Sequence, residues 1–165
     1  MSAIPSPEAI SNLLTRIDQV PADQLESETL DFKRWLDAKK SLAEAVKMAV
    51  CFANAGGGVV VFGVKDDIRG RQRAITGCSR YDLDTWRRGI YEGTMPNLTV
   101  DVSELTEPEG TLILVRVPKG PAPALRHFRR PLPDPGGKKL HALFTRGVST
   151  SPGRAWGIGL ECRAG

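Results

Sequence analysis

Apolar positions recur with two different periods along the chain. In PEAISNLLTRID (7–18), Ile10, Leu13, Leu14 and Ile17 repeat at helical spacing behind a proline suited to a first turn. This predicts a short amphipathic helix, and QVPADQ (19–24) reads as a connector. TLDFKRW then alternates: Leu30 and Phe32 share one side, Asp31 and Lys33 the other. That is the period of a strand with one face on a core and its polar face open for chemistry. Residues 42–55 return to the helical period, with Leu42, Val46, Ala49 and Ala53 in one stripe widened by Val50 and Phe52. Ser41 is the expected N-cap, Glu44 completes a capping box, and the glycines at 56–58 end the helix. VVVFGV (59–64) is apolar throughout, which predicts a central strand buried on both faces.

The second half is read the same way. AITGCS suggests a short strand, and 81–93 a helix with Leu83, Trp86 and Ile90 on one side. LTVDV (98–102) and TLILVRV (111–117) predict two strands joined at Pro108-Glu109-Gly110. Residues 118–139, dense in proline, glycine and basic residues, predict a long loop. HALFTRG (141–147) predicts a final strand; 154–165 carries little signal, and no internal repeat is visible. Helices and strands are partly segregated, so the expected class is α+β, a mixed β-sheet packed with two to three helices.

With 165 residues, 41% apolar and 25% charged, the chain has a globular composition and suits one domain. The net charge of +4 hides an asymmetry: residues 1–115 hold 13 Lys and Arg against 17 acids, whereas 116–154 hold 9 against Asp134 alone. Such a division suggests a polyanionic partner or a solvated basic surface. The three cysteines, Cys51, Cys78 and Cys162, are odd in number and lack C-x-x-C spacing, which argues against a disulfide framework and a zinc site. Cys51 falls in an apolar helical run and reads as core. No signal pattern or apolar run of membrane-spanning length is present, so the expectation is a soluble, cytoplasmic protein without a membrane partner.

Several chemistries drop out. The glycines follow a helix and precede a strand, the reverse of a P-loop or dinucleotide fingerprint. His127 and His141 have no partner at metal-ligand spacing, and Ser27, Ser41 and Ser79 lack a nucleophile-elbow context. What remains is acidic: Asp31 on the polar face of its strand, and Asp66 and Asp67 past the end of the central one. Adjacent strands lie about 5 Å apart, so these carboxylates could meet. Such clusters suit Mg²⁺ or Mn²⁺, and a metal held there activates water or stabilises a phosphoryl transition state. Solvated acids at strand ends are the ordinary alternative.

The chain resembles the Schlafen AlbA-like (AlbA_2) domain, a nucleic-acid-binding family once labelled a divergent ATPase. The likeness runs from Glu26 to about Gly153. It rests on Glu26 followed by Asp31-Phe32-Lys33, on FANAGGG (52–58), GVKDD (63–67), ITGC (75–78), VRVPKG (115–120) and LFTRGVST (143–150), in that order. It implies three segments: 1–24 a helix and connector, 25–153 the domain, 154–165 a tail.

The resemblance implies two functions. Bacterial members are DNA-binding or regulatory modules. Some animal members are endoribonucleases that cut tRNA and rRNA with three carboxylates and a divalent metal. Residue by residue, those carboxylates become Glu26, Asp31 and Asp66, with Asp67 a substitute for the last. Asp31 stands where the family has glutamate, and Lys65 where it has the first aspartate of its D-D pair, so Lys65 would compete for Asp66. The animal enzymes use two lobes, which makes a homodimer the expectation here.

A nucleic-acid surface would draw on Lys33, Arg69, Arg71, Arg126, Arg129, Arg130, Lys138, Lys139 and Arg146. No recognition helix stands out, so backbone and shape recognition is expected. Plainer roles stand beside these: Lys33 pairing with acids on its own face, Asn54 capping its helix, and Gly56, Gly57, Gly58 and Gly63 shaping backbone. Trp35, Trp86 and Trp156 could stack bases, though Trp86 reads as core. The reading taken forward is a nucleic-acid-binding module, then a metal-dependent ribonuclease, then a protein-interaction module.

Overall fold

The computed structural model describes residues 4–121 and 123–126. Ser6 caps α1 (Pro7–Leu14) by accepting the Ala9 N–H, and Pro7 occupies the first turn, where its missing N–H costs nothing. The chain then tightens into a 3₁₀ turn over Thr15–Asp18, so the expected helix is present in two pitches. A second 3₁₀ turn, Ala22–Leu25, leads to β1 (Leu30–Lys33).

The next helix, α2, runs Ala38–Ala55 and starts earlier than the pattern suggested. Its N-cap is Asp37, whose carboxylate accepts the Lys40 N–H at 2.8 Å. Ser41 lies inside the first turns, and its hydroxyl instead accepts the Leu36 N–H at 3.3 Å. This corrects the expected cap at Ser41. Ala38, Lys39 and Lys40 are good helix formers, and Asp37 reaches the orphan donors first. Gly56, at φ +121°, ends the helix, a conformation that a Cβ resists. β2 (Gly57–Phe62) follows and is buried at every position, as expected of a central strand.

After it come α3 (Arg71–Ala74), a single turn not foreseen, and α4 (Leu83–Glu92). β3 (Thr94–Met95) is brief, and β4 (Asp101–Glu107) and β5 (Gly110–Pro118) form the expected hairpin. AITGCS contributes only a bridge between Ile75 and Val64. The segment expected to be a loop after 118 contains β6 (Leu125–Arg126), which pairs with β3. The expected strand at 141–147 lies outside the described residues.

The main sheet has the order β1-β2-β5-β4. β1 and β2 are parallel and joined through α2, and the other pairs are antiparallel, so the sheet is mixed and the fold α+β. Period-two alternation sends Val60, Phe62, Ile113 and Val115 into one core beneath α2 and α4, with Phe52, Trp86 and Ile90. Val59, Val61, Leu112 and Leu114 enter a second core, with Ile10, Leu14 and Ile17 on the opposite face. Among the described residues no helix is long and apolar enough to cross a membrane.

Candidate functional site

Asp31 pairs with Val60 across β1 and β2 and is 2% exposed. The polar face of β1 is therefore not open to solvent, which corrects the expectation. Lys33, two residues on and on the same face, places its Nζ 2.9 Å from each Asp31 oxygen. The contact with Oδ1 is a hydrogen bond; Oδ2 is ion-paired but has no hydrogen-bond geometry to any group. Residues before β1 fold back along its outer edge, with Ser27 bridged to Leu30. This brings Glu26 alongside, where Oε1 accepts the outward N–H of Phe32 at 3.0 Å. Glu26 so satisfies a donor that an edge strand would leave free.

The electrostatics follow from this crowding. Burial pushes the Glu26 carboxyl from its ordinary 4.5 up to about 7; the Phe32 N–H opposes the shift, and the charge and hydrogen bond of Asp31 add to it. Burial alone would lower the Lys33 ammonium. Its hydrogen bond to Asp31 and the charges of Asp31, Glu26 and Asp66 outweigh that and hold it above its ordinary value.

Asp66 reaches the same neighbourhood because the backbone turns at Gly63, at φ +102°. The Lys33 carbonyl accepts from both Gly63 N–H (2.9 Å) and Val64 N–H (3.2 Å). Further on, the Lys65 N–H donates to Ala74 O at 2.8 Å, and the Asp66 carbonyl accepts from Asp23 N–H at 3.0 Å. Asp66 Oδ1 is buried without a hydrogen bond, its cation partner being Arg34 at 3.7 Å. Asp67, 66% exposed, lies 4.0 Å from the same guanidinium. The structure thus gathers Glu26, Asp31 and Asp66 about Lys33, while Asp67 faces solvent. Lys33 pairs with Asp31, and Arg34, not Lys65, is the cation paired with Asp66.

The two oxygens without hydrogen bonds invite a cation, but the side chains as arranged do not fit a divalent one. Among the described residues no three His, Cys, Asp or Glu side chains form a set that could hold a metal ion. The Lys33 ammonium already lies against both oxygens of Asp31. The arrangement is a lysine-centred acidic cluster.

The expected cationic surface divides. Lys33 is turned inward. Arg71 is also spent inside the fold: its Nε and Nη2 bond both oxygens of Glu109 at 2.9 and 2.8 Å, and Nη2 reaches Glu107 at 2.7 Å. Its side chain is 15% exposed, so its charge is already matched by carboxylates. Arg69 is exposed. Arg126 ends β6, and Arg129, Arg130, Lys138, Lys139 and Arg146 lie outside the described residues, as do His127, His141 and Trp156.

Asn54 has a role the sequence did not disclose. Its Nδ2 donates to Ala124 O at 3.0 Å and its Oδ1 accepts Ala124 N–H at 2.7 Å. Gly120 N–H adds a bond to Ala53 O at 2.9 Å. The last turn of α2 therefore clamps the chain leaving β5. A polar side chain closing an apolar helix was the one available signal. Arg34, 3.7 Å from Asp66, belongs to the same neighbourhood, and nothing in the sequence sets it apart from Lys33 beside it. Of the tryptophans, Trp86 is core at 1% exposure, and Trp35 stacks on it at 5.8 Å.

The sequence model of the family described as Schlafen, AlbA_2 matches residues 26–140. No curated protein matches. The crystal structure of the DIP2311 protein from Corynebacterium diphtheriae is similar in fold, with a TM-score of 0.52 and 18% identity over 71% of this chain. The match spans only 25% of that protein. The solution structure of the N-terminal domain of an ATP-dependent DNA helicase RecG-related protein from Nitrosomonas europaea matches at TM-score 0.48 and 22% identity. That match covers 92% of this chain and 99% of the other.

Proposed function

The chain belongs to the Schlafen AlbA_2 family, whose domains are nucleic-acid-related, and from that premise we propose that it is a module that binds nucleic acid through the phosphate backbone. The observation that carries the reading is where the uncompensated positive charge begins. Residues 116–154 hold nine Lys and Arg against one acid. The start of that stretch is tied to the body by the Asn54 clamp on Ala124 and by the β3–β6 pairing. Phosphate contacts from such a segment give affinity without base readout. The lysine-centred cluster supports the strand end that carries it and contributes no chemistry in this reading. Nothing in the described residues calls for a second copy of the chain.

The test is binding of labelled tRNA, single-stranded DNA and duplex DNA at several salt concentrations, with Mn²⁺ or EDTA present. Salt-sensitive shifts without cleavage are expected. Arg129→Ala with Arg130→Ala should weaken binding and flatten the salt slope by about 1.4–1.8 for two lost phosphates. Absence of binding to all three probes overturns the reading. Cleavage that needs Mn²⁺ and disappears in Asp31→Asn would replace it with the ribonuclease reading.

A further inference from the structure

At the end of β1 the chain runs Arg34-Trp35-Leu36 before α2 begins. Trp35 is held flat against Trp86, with ring centroids 5.8 Å apart and 18° between planes. Tyr81 meets its edge at 5.9 Å and 71°. This fixes one short stretch against another, because Arg34 and Leu36 flank Trp35 and Arg80 precedes Tyr81. The three flanking side chains point outward: Leu36 is 60% exposed, Arg34 is 55% exposed, and Arg80 is exposed. Lys39, in the first turn of α2, is exposed as well.

Three features separate this rim from an ordinary solvated surface. Arg80 sits at φ +56°, the single described residue other than glycine with positive φ. A side chain kept in that region costs stability, and such positions cluster where geometry serves a ligand. Two of the charges are also unspent. Among the described residues neither Arg80 nor Lys39 has an ion-pair partner, whereas Arg34 is engaged by Asp66 and Asp67 at 3.7 and 4.0 Å. The acids next to Leu36 and to Tyr81 in sequence are committed, Asp37 to Lys40 N–H and Asp82 to Thr85 N–H, as caps of α2 and α4. Finally, Leu36, next to Trp35 of the aromatic stack and three residues before Lys39, exposes an apolar side chain.

We infer that this rim is a ledge for a single-stranded nucleic acid, with phosphates at Lys39 and Arg80 and an unpaired base on Leu36. The inference rests on the nucleic-acid reading above and deepens it, since it names the strandedness of the ligand and a second contact surface. Duplex backbone could satisfy the cations, but it keeps its bases stacked inside and offers nothing to Leu36. An unstacked base supplies an apolar face, and contact of that kind tolerates any sequence.

The experiment is fluorescence anisotropy with a 12-nucleotide oligo-U and a blunt duplex of equal length. Arg80→Gly relieves the strained φ while removing the charge, so it tests the contact in a folded protein. Lys39→Ala with Arg80→Gly should weaken oligo-U binding about tenfold at moderate salt and flatten the logarithmic salt slope by about 1.4, two single-strand phosphate contacts. Leu36→Ala should weaken oligo-U but not duplex, with the slope unchanged. Arg16→Ala, on the 3₁₀ turn over the opposite face of the sheet, is the control and should alter neither. If the wild type binds and the ledge variants match it, the ledge is wrong and the family-level reading survives. If the wild type binds neither probe, both fall together.

Discussion

Glu26 holds two allegiances that pull against each other. As a hydrogen-bond acceptor it is needed ionised or neutral alike, because its oxygen satisfies the Phe32 N–H. As a charge it is unwelcome, being buried and set against Asp31, and this lifts its carboxyl to about 7. The folded state therefore binds this proton more tightly than the unfolded chain, where the ordinary value is 4.5. Its contribution to stability is complete below pH 4.5 and is lost as pH rises to about 7. Glu26→Gln keeps the acceptor and cannot ionise. Its melting temperature should match wild type at pH 4.5 and exceed it at pH 8 by about 2–4 °C, taking a solvent-discounted effect of about 1 kcal/mol. Equal melting temperatures across that range would show that Glu26 does not feel the cluster. Lys33 is the converse case. Lys33→Met leaves Asp31 buried without its cation and should cost about 2–4 kcal/mol by urea denaturation. Adding Asp31→Asn should restore much of that loss, since a neutral pair requires no compensation. None of this was legible in the alternation of β1, which put Asp31 and Lys33 on one face correctly but could not say that the face is covered.

At the scale of elements, local pattern served well where the burial it reports is also local. The stripe of α2, the apolar run of β2 and the Leu83, Trp86 and Ile90 face of α4 each mark an element that is present. The stretch WLDAKKSLAEA contains two capping signals, at Asp37 and at Ser41, and pattern could not rank them. Geometry ranks them, because Ser41 is occupied with Leu36. α3 and β6 were not legible: four and two residues are too short for any period, and both exist through partners far away in sequence. β6 depends on β3 and on Asn54, 70 residues before Ala124. Asn54→Ala removes both side-chain bonds to Ala124 and should cost about 1–2 kcal/mol. The effect should be local before it is global. Trypsin should cut after Lys119 faster than in the wild type, under conditions where the rest of the domain stays protected. Unchanged cleavage there would mean that β3 pairing alone holds the segment.

Across the whole molecule, two cores on opposite sides of one sheet are joined at their rim by charge. Arg71 links α3 to the β4–β5 turn through Glu107 and Glu109, and its own N–H bonds Asp18 at 2.9 Å. Glu107 in turn accepts from Ser11 of α1 at 2.7 Å. One guanidinium thereby fastens the N-terminal helical layer to the far edge of the sheet. The sequence offered Arg71 as one more member of a basic loop, because its partners lie 36 and 38 residues away. Composition could not separate a cation spent inside from one held ready for phosphate. Arg71→Met fills the same space with an apolar chain but abandons two carboxylates whose side chains are 6% and 17% exposed. The cost at neutral pH should be about 2–4 kcal/mol by denaturant unfolding, with nucleic-acid affinity unchanged. Arg71 holds the Glu109 carboxyl below its ordinary 4.5. The stability this lends the wild type is present above pH 4.5 and is lost as pH falls through the lowered folded value. The variant lacks that contribution at every pH. The gap between the two proteins should therefore be widest near pH 7 and narrow steadily below pH 4.5. A gap independent of pH would assign the loss to packing, and a loss of affinity without loss of stability would return Arg71 to the binding surface.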